Sequence, residues 1–224
     1  MTGKSLLRYQ VLFTAICLLL VTGTVIFCYR AGVLTWADNY LYDVNVAWRG
    51  PVATSGQVTL VLMDEDSAVR LQRHRGQWSR EKLAKALDNI CGAGAAVVGL
   101  DMIMSAPDLD PAADQLLAQA ISACNNIVLA RVSAADGVEE IAPLGLFQEG
   151  MIGDGFIDVP LDQDGILRKI RFLNAKPLAD GSLQLLPAFA LELVRVFFDL
   201  DFDFDFSGED HFLMGRDGDR QISL

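Results

Sequence analysis

The chain has 224 residues, a formal net charge of −11 and a mean hydropathy of +0.31. Its first 30 residues hold Lys4, Arg8 and Arg30 and no acid, leaving 15 basic against 29 acidic residues, a net charge of −14, for the remainder. A body that acidic repels nucleic acid and anionic lipid surfaces, which excludes a nucleic-acid-binding role, while its roughly 190 residues suffice for one domain with a substantial core.

Residues 1–8 form a short basic N-terminus. Tyr9 to Tyr29 contains no charged residue, and as a helix it spans about 31 Å, close to the ~30 Å hydrocarbon core of a bilayer. A cleaved signal peptide needs a shorter apolar region and a small-x-small motif, which neither Val25-Ile-Phe-Cys28 nor Phe27-Cys-Tyr29 supplies. Residues 9–29 therefore read as an uncleaved membrane anchor. Lys4, Arg8 and the amino terminus outweigh Arg30, which keeps the N-terminus cytoplasmic and sends everything after Arg30 outside. Residues 31–56 follow as a connecting helix and linker. Leu34, Ala37, Leu41, Val44 and Trp48 recur at helical spacing, which predicts a helix that packs back on the domain, and Pro51 to Gly56 is the linker.

The domain proper occupies residues 57–224. Gln57 to Met63 is rich in β-branched and apolar residues and reads as a strand, stopped by Asp64-Glu65-Asp66. Ser79 is placed to cap a helix whose first turn holds Glu81. Leu83, Leu87 and Ile90 give that helix one apolar face, and Gly92-Ala93-Gly94 ends it. Ala95 to Leu100 is apolar throughout, as a strand buried on both faces must be, and Asp101 closes it. If the two strands are parallel neighbours, Asp64 and Asp101 emerge at one carboxyl edge, where open α/β sheets place ligands. The simpler reading has each acid capping the turn that follows it. Arg70, Arg73, Arg75, Arg80, Lys82 and Lys85 concentrate basic charge around Trp78. They form either a solvated face or a site for an anion or acidic partner, with Trp78 stacking there or filling core.

Further along, Pro111 to Ile121 reads as a helix, Asn126 to Val132 as the third strand, and Gly153 to Asp158 as another strand. Asp164-Gly165 is a tight-turn pair before a strand over Ile166 to Leu173, whose alternation sets Arg168 on the apolar face. A charge there requires an acid such as Asp162, Asp101 or Asp64. It makes either a structural ion pair or a clamp for a ligand carboxylate. Leu186 to Phe198 reads as a helix beginning at Pro187. Asp199 to Phe206 alternates acid with apolar residue as a half-buried strand does, and His211 to Leu224 as a hairpin across Arg216-Asp-Gly-Asp219. A calcium loop from Asp201 would need glycine where Phe206 stands and glutamate where Phe212 stands. Cys91 and Cys124, at the ends of two helices, either pair or remain buried thiols. With no CxxC, and with His74 and His211 far apart, a zinc site has no ligand set. No metal or cofactor is expected.

Several of these stretches carry a family pattern. Gly76-Gln-Trp-Ser-Arg80, Leu83, Gly94-Ala95 and Val98-Gly-Leu-Asp101 resemble the core of the second class of CHASE domains, extracytoplasmic sensory modules of bacterial adenylate cyclases, histidine kinases and related receptors. Tyr42-Asp43 with Arg49-Gly50-Pro51 matches the family's opening, and Asp114-Gln-Leu-Leu-Ala-Gln-Ala120 its D-x-x-L-A-x-A run. Gly153 to Asp158, Asp162 to Arg168 and the Pro-Ala-Phe-Ala-Leu-Glu run from Pro187 match its second half, so the resemblance covers nearly all of residues 36–224. It implies the sensor region of a bacterial transmembrane receptor in the inner membrane, working as a homodimer. More membrane helices and a cytoplasmic adenylate cyclase or kinase would follow, with no active site in these residues. The expected fold is α/β, a mixed, largely parallel sheet flanked by helices and preceded by one transmembrane helix. The candidate ligand-binding residues are Asp64, Asp66 and Asp101 on the sheet edge, Trp78 and Arg80 at the start of the first domain helix, and Arg168.

Two rival functions remain open. Val61-Leu-Met-Asp64-Glu-Asp66 resembles the nucleophile strand of haloacid-dehalogenase-type phosphatases, and Gly153-Asp154 with Asp158 their metal-binding motif. Asp64 would then attack phosphorus and Asp66 act as acid/base around Mg²⁺. Ser67 stands where the family has glycine, and no useful apolar strand precedes Gly153. The other rival is a partner-binding ectodomain that takes no small ligand.

Overall fold

The computed structural model describes residues 3–70, 78–133, 139–177, 183–205, 212–217 and 220–223. The chain divides into two compact units, Met1–Leu62 and Met63–Leu224.

The first unit is two helices and a tail. Helix α1 (Gly3–Arg30) contains the one stretch among the described residues, Tyr9–Arg30, long and apolar enough to cross a membrane. Ala31 and Gly32 interrupt it, with Gly32 in the left-handed conformation at φ 73° that favours glycine. Helix α2 (Val33–Arg49) then runs to a second left-handed glycine, Gly50. The helix forms where its spacing predicts, and none of its residues is buried. Residues 50–62 adopt neither helix nor strand. The strand expected over Gln57 to Met63 is therefore not formed, and Val58, Leu60 and Leu62 are all more than 70 % exposed. Strand propensity describes how well a residue fits a half-buried pleated surface. Among the described residues no strand pairs with this run.

The second unit begins with a short helix, α3 (Glu65–Arg70), followed by α4 (Arg80–Gly92), which Ser79 caps by accepting from the Lys82 amide. Strand β1 (Val98–Leu100) leads to α5 (Pro111–Cys124), with Asp110 as its side-chain cap and proline in its first turn. Strand β2 (Ile127–Arg131), the four-residue helix α6 (Gly145–Gln148) and β3 (Gly153–Phe156) complete a parallel sheet in the order β1-β2-β3. Arg73, His74 and Arg75 lie outside the described residues.

One face of this sheet meets α4 and α5. Leu83 and Leu87 from α4, Leu117 and Ile121 from α5, and Ile127 and Leu129 from β2 form its core with Phe147 of α6. Burying large apolar side chains there stabilises the domain by roughly 1.5–3 kcal/mol each. A Cys91–Cys124 disulfide joins the last turns of α4 and α5, which decides between pairing and free thiols. The opposite face meets α7 (Phe189–Phe198). Gly155 permits that approach, since an added Cβ would stand 2.5 Å from Phe189 Cα.

The remaining strands belong to separate sheets rather than to one mixed sheet. Strands β4 (Leu173–Pro177) and β5 (Leu183–Pro187) form an antiparallel pair. Only a single bridge, Phe156 to Ala188, continues the parallel sheet's hydrogen bonding toward them. The strand expected from Ile166 begins instead at Leu173, and the helix expected from Pro187 begins at Phe189, because Pro187 pairs with Leu173 at the end of β5. Strands β6 (Asp201–Asp205), β7 (Phe212–Asp217) and β8 (Arg220–Ser223) form an antiparallel sheet. That sheet bears out both the alternating strand and the terminal hairpin.

Candidate functional site

The six residues singled out by sequence occupy four different places. Asp64 follows no strand. Its Oδ1 accepts from the amide and hydroxyl of Ser67 at 2.8 and 2.7 Å, capping α3. The Ser67 hydroxyl, then its amide, hold the Asp64 carboxyl below its ordinary value. Asp66 lies exposed on α3. Asp101 does leave the carboxyl end of β1 and is exposed, but Asp64 is not its counterpart on a neighbouring strand, so the matched pair of acids at one sheet edge is not formed. The capping reading holds for Asp64.

Trp78 is half-buried and packs against the α4–α5 core. Arg80 opens α4 and turns inward. Its Nε lies 3.2 Å from Asp114 Oδ1, its Nη2 donates to the Ala106 carbonyl at 3.1 Å, and its guanidinium covers the Phe147 ring at 5.4 Å. Asp114 is 96 % buried on its side chain and also accepts from the Asp108 amide at 2.7 Å. Two residues marked by the family pattern thus hold each other, and together they pin the first turns of α4 and α5. The resemblance marked Asp114 only as a motif position. What identifies it physically is that a carboxylate inside an amphipathic helix's apolar face requires a cation.

Arg168 finds the first of its proposed partners. Its Nη1 bonds Asp162 at 2.8 Å and its Nη2 bonds Asp164 at 2.7 Å, with the arginine side chain only 5 % exposed. The turn is closed by the Gly165 amide on the Asp162 carbonyl and by the Asp162 amide on the Ile166 carbonyl. Gly165 takes φ 78°, which glycine accommodates without strain. Hydrogen bonding from Arg168, then from the Ile166 amide, lowers the Asp164 carboxyl to about 2. The structural ion pair is therefore formed.

A charged group that sequence reading did not assemble lies at the carboxyl end of the parallel sheet. Arg131, the last residue of β2, bonds Glu140 at 2.8 Å and Asp154 of β3, and Lys176 of β4 bonds Glu140 in turn. The next turn is fixed by Asp158, which accepts from the Ser133 amide at 2.6 Å and from its hydroxyl. Burial pushes the Asp154 carboxyl above its ordinary value. Arg131 opposes that shift, while Glu192 and Glu140 add to it. The available signal was Arg131 itself, since a cation ending a fully apolar strand has to meet an acid. Asp154 and Asp158 are the two acids of the phosphatase-like motif, and here they bind Arg131 and Ser133. With Asp64 on a helix cap and its strand absent, that motif has no nucleophile strand beside it. Among the described residues, no group of three metal-binding side chains is arranged to hold an ion.

An α/β domain with a small parallel sheet between helices is joined in sequence to an apolar helix long enough to cross a membrane. The family model described as the CHASE2 domain matches residues 15–222. The chain belongs to the CHASE2 family, sensor domains of signalling receptors. Neither the curated proteins nor the solved structures gave a match.

Proposed function

We propose that this chain is the extracytoplasmic input region of a bacterial transmembrane receptor. Tyr9 to Tyr29 spans the inner membrane, residues 1–8 face the cytoplasm, and the domain reads a signal outside for an adenylate cyclase or kinase elsewhere in the receptor. The observation that carries this reading is the reach of the family match, which begins within the apolar helix at residue 15 and runs through the domain. The Cys91–Cys124 disulfide supports the location, since such bonds persist in oxidising compartments and are rare in cytosol. Two copies work together, and the signal acts at the carboxyl end of the parallel sheet. There Asp101 leaves β1, and Arg131 and Asp154 stand on the neighbouring strands.

The test is a thermal-shift screen of the full chain in detergent against organic acids, nucleotides, cations and divalent metals. A ligand at about 100 times its Kd adds about 2.7 kcal/mol, which raises Tm by roughly 5–10 °C for a domain of this size. That shift is expected to disappear in Asp101→Asn. A flat response to every class would favour a module that binds a protein partner and no small ligand. The exposure of Ile170 and Phe172 at 61 % and 56 % is consistent with that second reading.

A further inference from the structure

The stretch from Ile166 to Phe172 carries four large apolar residues, three cations and no acid. It forms neither helix nor strand, and Ile166, Leu167, Ile170 and Phe172 stand 46, 44, 61 and 56 % exposed. Lys169 and Arg171 are exposed between them. Arg168 alone turns inward, onto Asp162 and Asp164. The turn thus consumes one cation and leaves two facing solvent. Among the described residues, no acid pairs with Lys169 or Arg171. We infer that this stretch is a docking surface for the anionic phospholipid headgroups of the membrane that holds the chain. The inference rests on the anchoring proposed above and adds a second point of contact with the same bilayer.

Exposed apolar side chains set between unopposed cations suit the headgroup boundary of a bilayer. The hydrocarbon enters the acyl edge, while the ammonium and guanidinium groups stay with phosphate. The acidity of the domain as a whole does not cancel this attraction. Repulsion from distant acids fades within a Debye length, about 8 Å at physiological ionic strength, so the charges that count are those of the contacting stretch. The acids nearest to it in sequence, Asp162 and Asp164, are already held by Arg168. An acidic protein would offer Lys169 and Arg171 the same complementary charge. The bilayer is favoured because an anchored chain meets it at a high effective concentration, at which even a weak contact forms.

Depth-sensing labels test this in the full chain, reconstituted in vesicles on a Cys17→Ser, Cys28→Ser background that keeps the Cys91–Cys124 disulfide. An environment-sensitive fluorescent maleimide is placed on Ile170→Cys or Phe172→Cys, and on Gln119→Cys of α5 as the control. In vesicles of phosphatidylcholine and phosphatidylglycerol, a spin-labelled lipid is expected to quench the first two labels about threefold more than the third. That difference is expected to vanish in phosphatidylcholine alone, and in about 1 M salt, where the Debye length is about 3 Å. It is also expected to vanish in the Lys169→Glu, Arg171→Glu variant, whose Tm should match that of its parent because both side chains are exposed. Equal quenching at all three positions, or a difference that persists without phosphatidylglycerol, would overturn the inference. So would labels that stay unquenched in these vesicles yet report an apolar setting in native membranes, which would assign the surface to a protein partner. Flotation separates the inference from the anchoring. A chain that floats with the vesicles but shows no difference in quenching sinks the inference alone, whereas a chain that fails to float sinks the anchoring and the inference with it.

Discussion

The α4–α5 pair and the Asp162–Arg168 turn each hold an arginine that the sequence marks, and they hold it in opposite ways. Arg80 reaches from one helix to another and meets a carboxylate with almost no access to water. Arg168 folds back on its own turn and shares itself between half-buried Asp162 and exposed Asp164. In the first case the pair fixes how two helices pack, and removing one partner strands the other charge without solvent. In the second, the pair sets a local turn, and at least one partner keeps its hydration when the bond is lost. The helices have a further restraint. The Arg80–Asp114 pair holds their first turns and the disulfide holds their last, so α4 and α5 are clamped at both ends.

The largest effect should come from unbalancing that clamp. Arg80→Ala leaves Asp114 buried without its cation and is expected to lower unfolding stability by about 3–5 kcal/mol in urea titrations. A loss below about 1 kcal/mol would place the pair in the same class as a surface bridge and erase the contrast with the turn. The other end of the clamp comes next. Replacing Cys91 and Cys124 together by serine is expected to cost about 2–4 kcal/mol by the same measurement, since the bond closes a long loop in the unfolded chain.

The contrast also explains which parts of the molecule could be read from sequence. Helices α4, α5 and α2 were legible because caps and apolar periodicity are local signals: Ser79, Pro111 and the spacing of Leu83 and Leu87 announce themselves within a few residues. Strand β2 and the terminal hairpin were legible for the same reason. Gln57 to Met63 and Ile166 to Phe172 misled, because a strand exists only where another strand pairs with it, and pairing is not written in either segment. Arg168 was resolved because its acids are four and six residues away. The Arg131–Asp154 pair was not, since its partners sit on different strands and only the register of β2 with β3 brings them together. Asp64 and Asp101 failed as a matched pair on the same ground: the placement of Asp64 depended on a strand that did not form.

A third contact, free of charge, gives the comparison a control. Gly155→Ala forces β3 and the backbone of α7 apart, at Phe189 Cα and N, and overpacking of this kind costs typically 1–3 kcal/mol. Because no titrating group takes part directly, the loss should stay nearly the same as pH falls. A loss that vanishes in acid would mean that α7 is held mainly through the Glu192 carboxylate, which lies against Gly153 of β3, and not by close backbone packing.

The smallest effect, and the most specific, belongs to the turn. Asp164 has a folded value of about 2 against an ordinary 3.8, so the folded state holds the deprotonated form more tightly than the unfolded chain does. Its contribution is fully present above 3.8 and is lost as pH falls through about 2. Asp164→Asn removes this contribution but leaves Asp162 on Arg168. The gap in Tm between the native chain and the variant is therefore expected to be small and constant near neutrality, to narrow as pH falls below 3.8, and to close near 2. If the Asp164→Asn gap instead widened in acid, the Arg168 bond would have to favour the protonated carboxyl, and the turn could not be the locally solvated ion pair that distinguishes it from the helix clamp.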